Sequence, residues 1–151
     1  MSPETKKSVH QECVNAIAER IQNVTEAIDM ARESANEDGK SSAGDKHETG
    51  RAMAHLEQEK AVKQLNELLD QQNVLKRIDP TIQAIHAVLG SLVETNLGTF
   101  YLSIALGKLV VKGDEYLVIS PASPMGKMLL GLSVGSKSSL NGREVVIKSI
   151  L

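Results

Sequence analysis

Residues 14–35 read VNAIAERIQNVTEAIDMARESA, and apolar side chains recur along them at alternating intervals of three and four residues. This spacing is typical of the heptad repeat with which helices pack in a coiled coil. The repeating positions are Val14, Ile17, Ile21, Val24, Ile28, Ala31 and Ala35. The stretch therefore predicts a long helix, over about residues 8–37, with one apolar seam that faces a partner helix.

A second, weaker seam follows in the chain. Its positions are Ala54, Gln58, Ala61, Leu65, Leu68, Gln72 and Leu75. It predicts a helix over about residues 50–77, which ends before Pro80 because the residue preceding a proline is disfavoured in the helical region. Two helices of similar length joined by a Gly- and Ser-rich connection form an antiparallel hairpin. We therefore predict a coiled-coil hairpin over residues 1–78, with a tip loop at residues 38–49.

After Pro80 the apolar pattern changes to the two-residue alternation of β-strands. Strands are predicted at residues 82–88, 99–104, 108–112, 115–119 and 144–150. Ser123 as N-cap, Pro124 at the first helical position and Gly131 as the stop predict one short helix. The predicted fold class is α+β, with the hairpin followed by an antiparallel β domain, residues 79–151, that packs one short helix.

The composition excludes several classes of function. With no Trp, one Phe and two Tyr, the chain has little material for stacking nucleic-acid bases. A net charge of −2 argues against direct, sequence-specific DNA binding. The single cysteine, Cys13, cannot form an internal disulfide, and neither a secretion signal nor an apolar run of about 18 residues is present. We expect a cytoplasmic protein with no membrane partner.

Two carboxylates, Asp45 and Glu48, stand three residues apart where the predicted tip leads into the second helix. Such a pair can share a hard divalent cation, which prefers oxygen ligands. Two ligands leave most positions of a Mg²⁺ ion open, so the pair would complete a site that another molecule supplies. We therefore expect no tightly bound cofactor. The alternative is that acids at a helix N-terminus only complement the helix dipole.

Basic residues on and after the tip form a candidate contact strip for an RNA chain. They are Lys40, Lys46, Arg51, Lys60 and Lys63. Glu57 and Glu59 interrupt the strip, and mixed charge on an exposed helix face is the alternative interpretation.

Two sets of motifs carry a resemblance to a known family. The run Gly44-Asp45-Lys46-His47-Glu48 matches a tip pattern Gly-Asp-x-x-Glu, and Ser123-Pro124, Leu129-Leu130-Gly131, Gly135 and a closing strand at residues 142–150 follow in order. On these motifs the chain resembles the Gre family of bacterial transcript-cleavage factors over nearly its whole length. The resemblance implies an FKBP-like fold for the C-terminal domain.

The resemblance also implies a function. In such factors the C-terminal domain docks at the rim of the secondary channel of RNA polymerase, and the coiled coil enters the channel. Asp45 and Glu48 would then help hold a second Mg²⁺, shared with the polymerase, for hydrolysis of a backtracked transcript. The factor is expected to be an accessory protein rather than an enzyme.

The resemblance assigns candidate residues to two contacts. Those for contact with the nascent RNA 3′ end are Lys46, Arg51, Lys60 and Lys63. Those for docking on the polymerase are Ser123, Pro124, Met125 and Leu129.

One departure from the family pattern leaves alternatives open. After the tip Glu the family has Asn-Ala-Glu-Tyr, whereas this chain has Thr49-Gly50-Arg51-Ala52. A Gre-like modulator that occupies the channel without stimulating cleavage is therefore an alternative.

A peptidyl-prolyl isomerase is disfavoured because Phe100, Tyr101 and Tyr116 are the only aromatics. A coiled-coil adaptor is the remaining alternative.

Overall fold

The computed structural model describes the backbone of residues 1–38 and 45–151 and the side chains of residues 1–34 and 49–151. Residues 39–44 of the predicted tip lie outside the described residues. The elements are α1 (Pro3–Asp38), α2 (Asp45–Arg77), β1 (Leu92–Thr95), β2 (Gly98–Leu102), β3 (Gly107–Val111), β4 (Asp114–Ile119), α3 (Pro124–Leu129), β5 (Lys137–Leu140) and β6 (Arg143–Ile150). Two long helices followed by strands and one short helix confirm the predicted α+β class.

Both long helices begin earlier than the heptad pattern predicted. α1 begins at Pro3 because Ser2 caps it: the Ser2 hydroxyl accepts a hydrogen bond from the Thr5 backbone N–H at 3.3 Å. α2 begins at Asp45 rather than at residue 50. An acid is favourable in a first helical turn, and Gly50 is tolerated in a helix interior at a cost of about 1 kcal/mol. The predicted tip loop at residues 38–49 was therefore too long.

The two heptad seams are confirmed wherever side chains are described. From Val14 to Ala31, and from Ala54 to Leu75, every predicted seam position is buried or half-buried, and most positions between them are exposed. Ile28 and Arg32 of α1 line the same groove as His55 and Asn66 of α2. Residues 1–15 pack instead with residues from 73 onward. The two helices are therefore antiparallel, as the hairpin predicted.

The chain forms two compact units. The hairpin unit is Ala16–Gln72, and the sheet unit combines Met1–Asn15 with Asn73–Leu151. The predicted domain boundary between residues 78 and 79 stays a prediction. The first residues of α1 and the last residues of α2 belong to the same compact unit as the sheet. Lys6 and His10 of α1, for example, form hydrogen bonds with residues beyond position 80.

The sheet has six strands in the order β3-β4-β2-β1-β6-β5. All neighbouring pairs are antiparallel except β2 and β4, which are parallel, so the predicted antiparallel sheet contains one parallel pair. β4 forms an antiparallel hairpin with β3 on one side. On its other side it pairs with β2, which runs in the same direction. Such an insertion depends on long-range pairing that local alternation does not reveal.

Four predicted strands correspond to β2, β3, β4 and β6. One predicted strand is not formed, and two observed strands were not predicted. The predicted strand at 82–88 contains only an isolated bridge between His86 and Ser133. Two strands were missed: β1 is too short and too continuously buried to alternate, and β5 reads KSSL, with one apolar residue.

The core of the sheet unit packs strands against α3. Its members are Ala87, Val93, Phe100, Leu102, Leu129, Val145 and Ile147. The predicted caps of α3 are confirmed: the Ser123 hydroxyl accepts from the Gly126 backbone N–H at 3.1 Å, and Gly131 has a φ of 81°. β6 lies inside the sheet, with Val145 and Ile147 buried on one face.

Candidate functional site

The predicted metal-delivering acids lie in the first turn of α2. Asp45 is its first residue and Glu48 follows three positions later, so their backbone positions are about one turn apart on one side of the helix. The side chains of Asp45 and Glu48, and of Lys46 between them, lie outside the described residues. Among the residues that are described, no three His, Cys, Asp or Glu side chains gather as a metal site. The metal role of Asp45 and Glu48 therefore stays a prediction.

The described RNA-contact candidates do not share one face of α2. Arg51, Lys60 and Lys63 are all exposed. Nine residues separate Arg51 from Lys60, which is about two and a half helical turns and places them on opposite sides of the helix. Lys63 lines a groove of the hairpin unit, and Lys60 is not among the residues that line it. A continuous basic strip is therefore not formed by these three residues.

The docking candidates build α3 rather than an open surface. Ser123 is occupied as the N-cap, where its hydroxyl also donates to the Ser120 carbonyl oxygen at 2.7 Å. Leu129 is fully buried, and Met125 packs partly buried against the same core cluster. Pro124 is exposed. The assignment of Leu129 to docking was therefore wrong, because its side chain fills the core and cannot reach a partner.

A set of exposed apolar residues on the sheet unit was missed by the sequence analysis. This apolar patch consists of Ile82, Ile85, Val88, Leu89 and Val134, which are exposed by 64%, 81%, 46%, 42% and 58%. Two hollows, of about 210 and 400 Å³, open beside it and share Ala84 in their walls. Soluble proteins rarely expose such groups of apolar side chains without a partner. The signal in the sequence was the run at 82–89, where apolar residues lack strict alternation.

A buried polar cluster anchors the first turns of α1 to the sheet unit. The Lys6 ammonium donates to the Ile82 carbonyl oxygen at 2.6 Å, and His10 Nδ1 shares a hydrogen bond of 2.6 Å with the Tyr101 hydroxyl. Burial lowers the pKa of Lys6, and the carboxylate of Asp79 acts against this shift. Because the Lys6 bond holds Ile82, it helps fix the start of the apolar patch.

The same cluster keeps His10 neutral. Burial is the main cause that lowers the pKa of His10, the positive charge of Lys6 adds to the effect, and Asp79 opposes it. Hydrogen bonds from Thr81 are the main cause that lowers the pKa of Asp79. Heptad spacing gave no sign of this cluster, since Lys6 and His10 precede the predicted seam.

Cys13 and the three aromatic residues are buried side chains of the sheet unit. Cys13 is fully buried, and burial raises the pKa of its thiol to about 12, which keeps it protonated and unreactive. Phe100, Tyr101 and Tyr116 are all buried, so these rings form no open aromatic pocket of the kind an isomerase would need. No described helix is long and apolar enough to span a bilayer.

Comparisons with known proteins give a likeness to solved structures. No protein-family model matches this chain, and no curated protein matches it. A solved structure titled "Structure of the transcription factor Gfh1." aligns with 91% of this chain and 92% of that chain, at 24% identity and a TM-score of 0.36.

Proposed function

We propose that this protein is a Gre-like transcription factor that binds bacterial RNA polymerase and stimulates cleavage of backtracked transcripts through Asp45 and Glu48. One observation carries the proposal. The two acids of the Gly-Asp-x-x-Glu motif lie in the first turn of α2, the second helix of the coiled-coil hairpin. The resemblance expects the two acids at the tip of the hairpin, and α2 begins at Asp45, directly after residues 39–44 of the predicted tip. The hairpin would enter the secondary channel, and the sheet unit would dock at the channel rim.

The spacing of the acids suits shared coordination. Positions three apart on a helix lie about one turn apart on the same side, so both carboxylates can approach one cation. Mg²⁺ is usually bound through one or two protein carboxylates, with other ligands from water and phosphate. In two-metal phosphodiester cleavage the ions hold the attacking and leaving oxygens. Asp45 and Glu48 would contribute charge and two ligands, and the polymerase would contribute the remaining site and the hydrolytic activity.

The apolar patch is the surface of the sheet unit that we assign to polymerase docking. Its side chains are exposed, whereas Leu129 and Met125 of the predicted docking set pack in or against the core. Burying apolar side chains is the main favourable contribution to association, at about 25 cal/mol per Å² removed from water. Ile85, at 81% exposure, has the most area to bury among the five.

A transcript-cleavage assay on stalled elongation complexes tests the role of the acids. Asp45→Asn and Glu48→Gln keep the size of each side chain but remove its charge. We expect cleavage to fall by at least the ~10–100-fold that loss of a second-shell partner typically costs, while polymerase affinity stays near wild type. Raising the Mg²⁺ concentration should restore part of the activity by mass action.

Glu57→Gln is the matched control for this assay, because Glu57 is an exposed acid of the same helix outside the motif. It should cleave like wild type. Equal cleavage by wild type, Asp45→Asn and Glu48→Gln would disprove metal delivery by the tip.

A second candidate is a Gre-like modulator that occupies the channel without stimulating cleavage. The observation that favours it is the sequence Thr49-Gly50-Arg51-Ala52, which lacks the acid and the tyrosine of the family pattern. Wild-type protein that competes for polymerase but leaves backtracked transcripts intact would support this candidate and exclude the first.

Docking is tested separately by competition binding to the polymerase. Ile85→Asp should weaken binding about tenfold, because a charge would be buried against an apolar partner surface. Val110→Asp is the control, since Val110 is 57% exposed but lies on β3, outside the patch. Equal affinity of the two variants would rule out the apolar patch as the docking surface.

A further inference from the structure

The hairpin unit contains a groove of about 450 Å³ between its two helices. α1 contributes Ile28 and Arg32, and α2 contributes His55, Gln58, Glu59, Val62, Lys63 and Asn66. The volume falls within the ~300–1,000 Å³ of typical small-molecule sites. Its described lining is more polar than that of most such sites, because only Ile28 and Val62 are apolar, and this favours a charged ligand.

Basic side chains in this groove lack partners. Arg32, His55 and Lys63 are exposed, and within the described part of the chain none of the three has an ion pair or a side-chain hydrogen bond. Glu59 stands four residues before Lys63 on α2, the spacing of a helix ion pair, yet the two side chains are not paired. As far as the described residues show, Arg32 and Lys63 are therefore available to bind an anion.

The remaining lining residues suit the non-ionic part of a ligand. Ile28 is 5% exposed and Val62 is 41% exposed, so together they give the groove an apolar surface. Gln58 and Asn66 each offer an amide donor and an acceptor. Among the described lining residues, Glu59 is the single acid, and its carboxylate accepts hydrogen bonds only.

We propose that this groove binds a small phosphorylated ligand of nucleotide size. Arg32 and Lys63 hold the phosphate groups, since guanidinium and ammonium groups form strong charge-assisted bonds with phosphate oxygens. The non-polar part of the ligand lies against Ile28 and Val62. Glu59 lowers the affinity for phosphate by repulsion, which makes binding modest.

An RNA strand is disfavoured as the occupant. An RNA backbone requires positive charge that continues along its path. Among the described residues, Arg51 and Lys60 do not line the groove. Glu59 lines it together with Arg32 and Lys63, so the positive charge along the groove is interrupted by an acid. The proposal concerns the isolated protein and does not depend on polymerase binding.

Calorimetric titration of the full-length protein tests the proposal, with adenosine 5′-diphosphate, inorganic pyrophosphate and adenosine as probes. The diphosphate and pyrophosphate should bind, adenosine should bind much more weakly, and added salt should weaken binding of both anions. If neither anion binds at millimolar concentration, the proposal is wrong. It is also wrong if a short single-stranded RNA binds through Arg32 and Lys63 while the diphosphate does not.

Three variants separate a built site from general surface charge. Lys63→Met should weaken diphosphate binding about fivefold, the effect of one charge near a phosphate at high dielectric. Lys60→Met, which removes the same charge outside the groove, should leave binding unchanged. Glu59→Gln should tighten binding, because it removes the repulsive acid. Equal losses in the Lys60 and Lys63 variants, or no gain in the Glu59 variant, would overturn the proposed geometry.

Discussion

The hairpin unit and the sheet unit are stabilised in different ways. Among described residues of the hairpin unit, the buried apolar side chains are Ile17, Val24, Ile28 and Leu68, and the other seam positions are only half-buried. The sheet unit instead has a three-dimensional core in which strands and α3 share one apolar cluster. A substitution on an exposed hairpin position therefore changes chemistry with little effect on stability, whereas substitutions in the sheet unit change folding first.

This difference bears on how the candidate residues can be tested. Arg32, Lys60 and Lys63 are exposed hairpin residues, so their loss reports on binding. Ser123, Met125 and Leu129 support α3, so a loss of activity in their variants would be confounded by unfolding. The apolar patch is the exception in the sheet unit, because its side chains are exposed and can be changed without opening the core.

The largest effect is expected at the core of the sheet unit. Leu129→Ala removes a fully buried side chain and should lower the free energy of unfolding by about 2–5 kcal/mol. Leu130→Ala, at a residue that is 40% exposed, should cost much less. Urea unfolding of both variants, followed by circular dichroism, makes the measurement. Similar losses at both positions would show that Leu129 is not the core residue of this pair.

Alanine substitutions at two glycines, one in each unit, should change the free energy of unfolding in opposite directions. A Cβ on Gly126 would lie 2.1 Å from the Ser120 carbonyl oxygen, so Gly126→Ala should destabilise the sheet unit by about 1–3 kcal/mol. A Cβ on Gly50, inside α2, would meet no atom within 4 Å, so Gly50→Ala should stabilise the helix by about 0.5–1 kcal/mol. Thermal unfolding measures both changes. A stabilising Gly126→Ala would contradict the packing around α3.

The smallest effect concerns the pH dependence of the sheet unit. The folded state lowers the pKa of His10 below its ordinary value of 6.5, so the unfolded chain binds the proton more readily. Stability contributed by neutral His10 is therefore complete above about pH 6.5 and is lost as pH falls through the lowered pKa. Lys6, Asp79 and Tyr101 are the groups that face it. The pKa of Asp79 is lowered from its ordinary value of 3.8, so this carboxyl group titrates outside the range between pH 7 and pH 5.

Two variants test this assignment by thermal unfolding between pH 7 and pH 5. His10→Gln should flatten the decline in this range because it removes the titrating group. Tyr101→Phe keeps the histidine, so it should retain the decline while losing about 1 kcal/mol at neutral pH through the broken hydrogen bond. A His10→Gln profile as steep as that of wild type would assign the pH dependence to other groups.

Local sequence patterns were sufficient to predict the elements that depend on residues close together in the chain. The seams from Val14 and from Ala54, the cap at Ser123 and the stop at Gly131 were all predictable, because helix periodicity and capping depend on near neighbours. The motif with Asp45 and Glu48 was likewise visible in the sequence, although its place within α2 rather than in a loop was not.

Tertiary structure decided what depends on distant residues. The parallel pairing of β2 with β4, the contact of His10 with Tyr101 and the exposure of the run at 82–89 each require partners far along the chain. Leu129 and Ile85 look alike as apolar residues in the sequence, yet one fills the core and the other is 81% exposed. The sequence by itself determined the helices, their seam and the acidic motif, because the causes are local. Only the packed fold decided which apolar side chains are core and which are free to bind, because burial is a property of the whole arrangement.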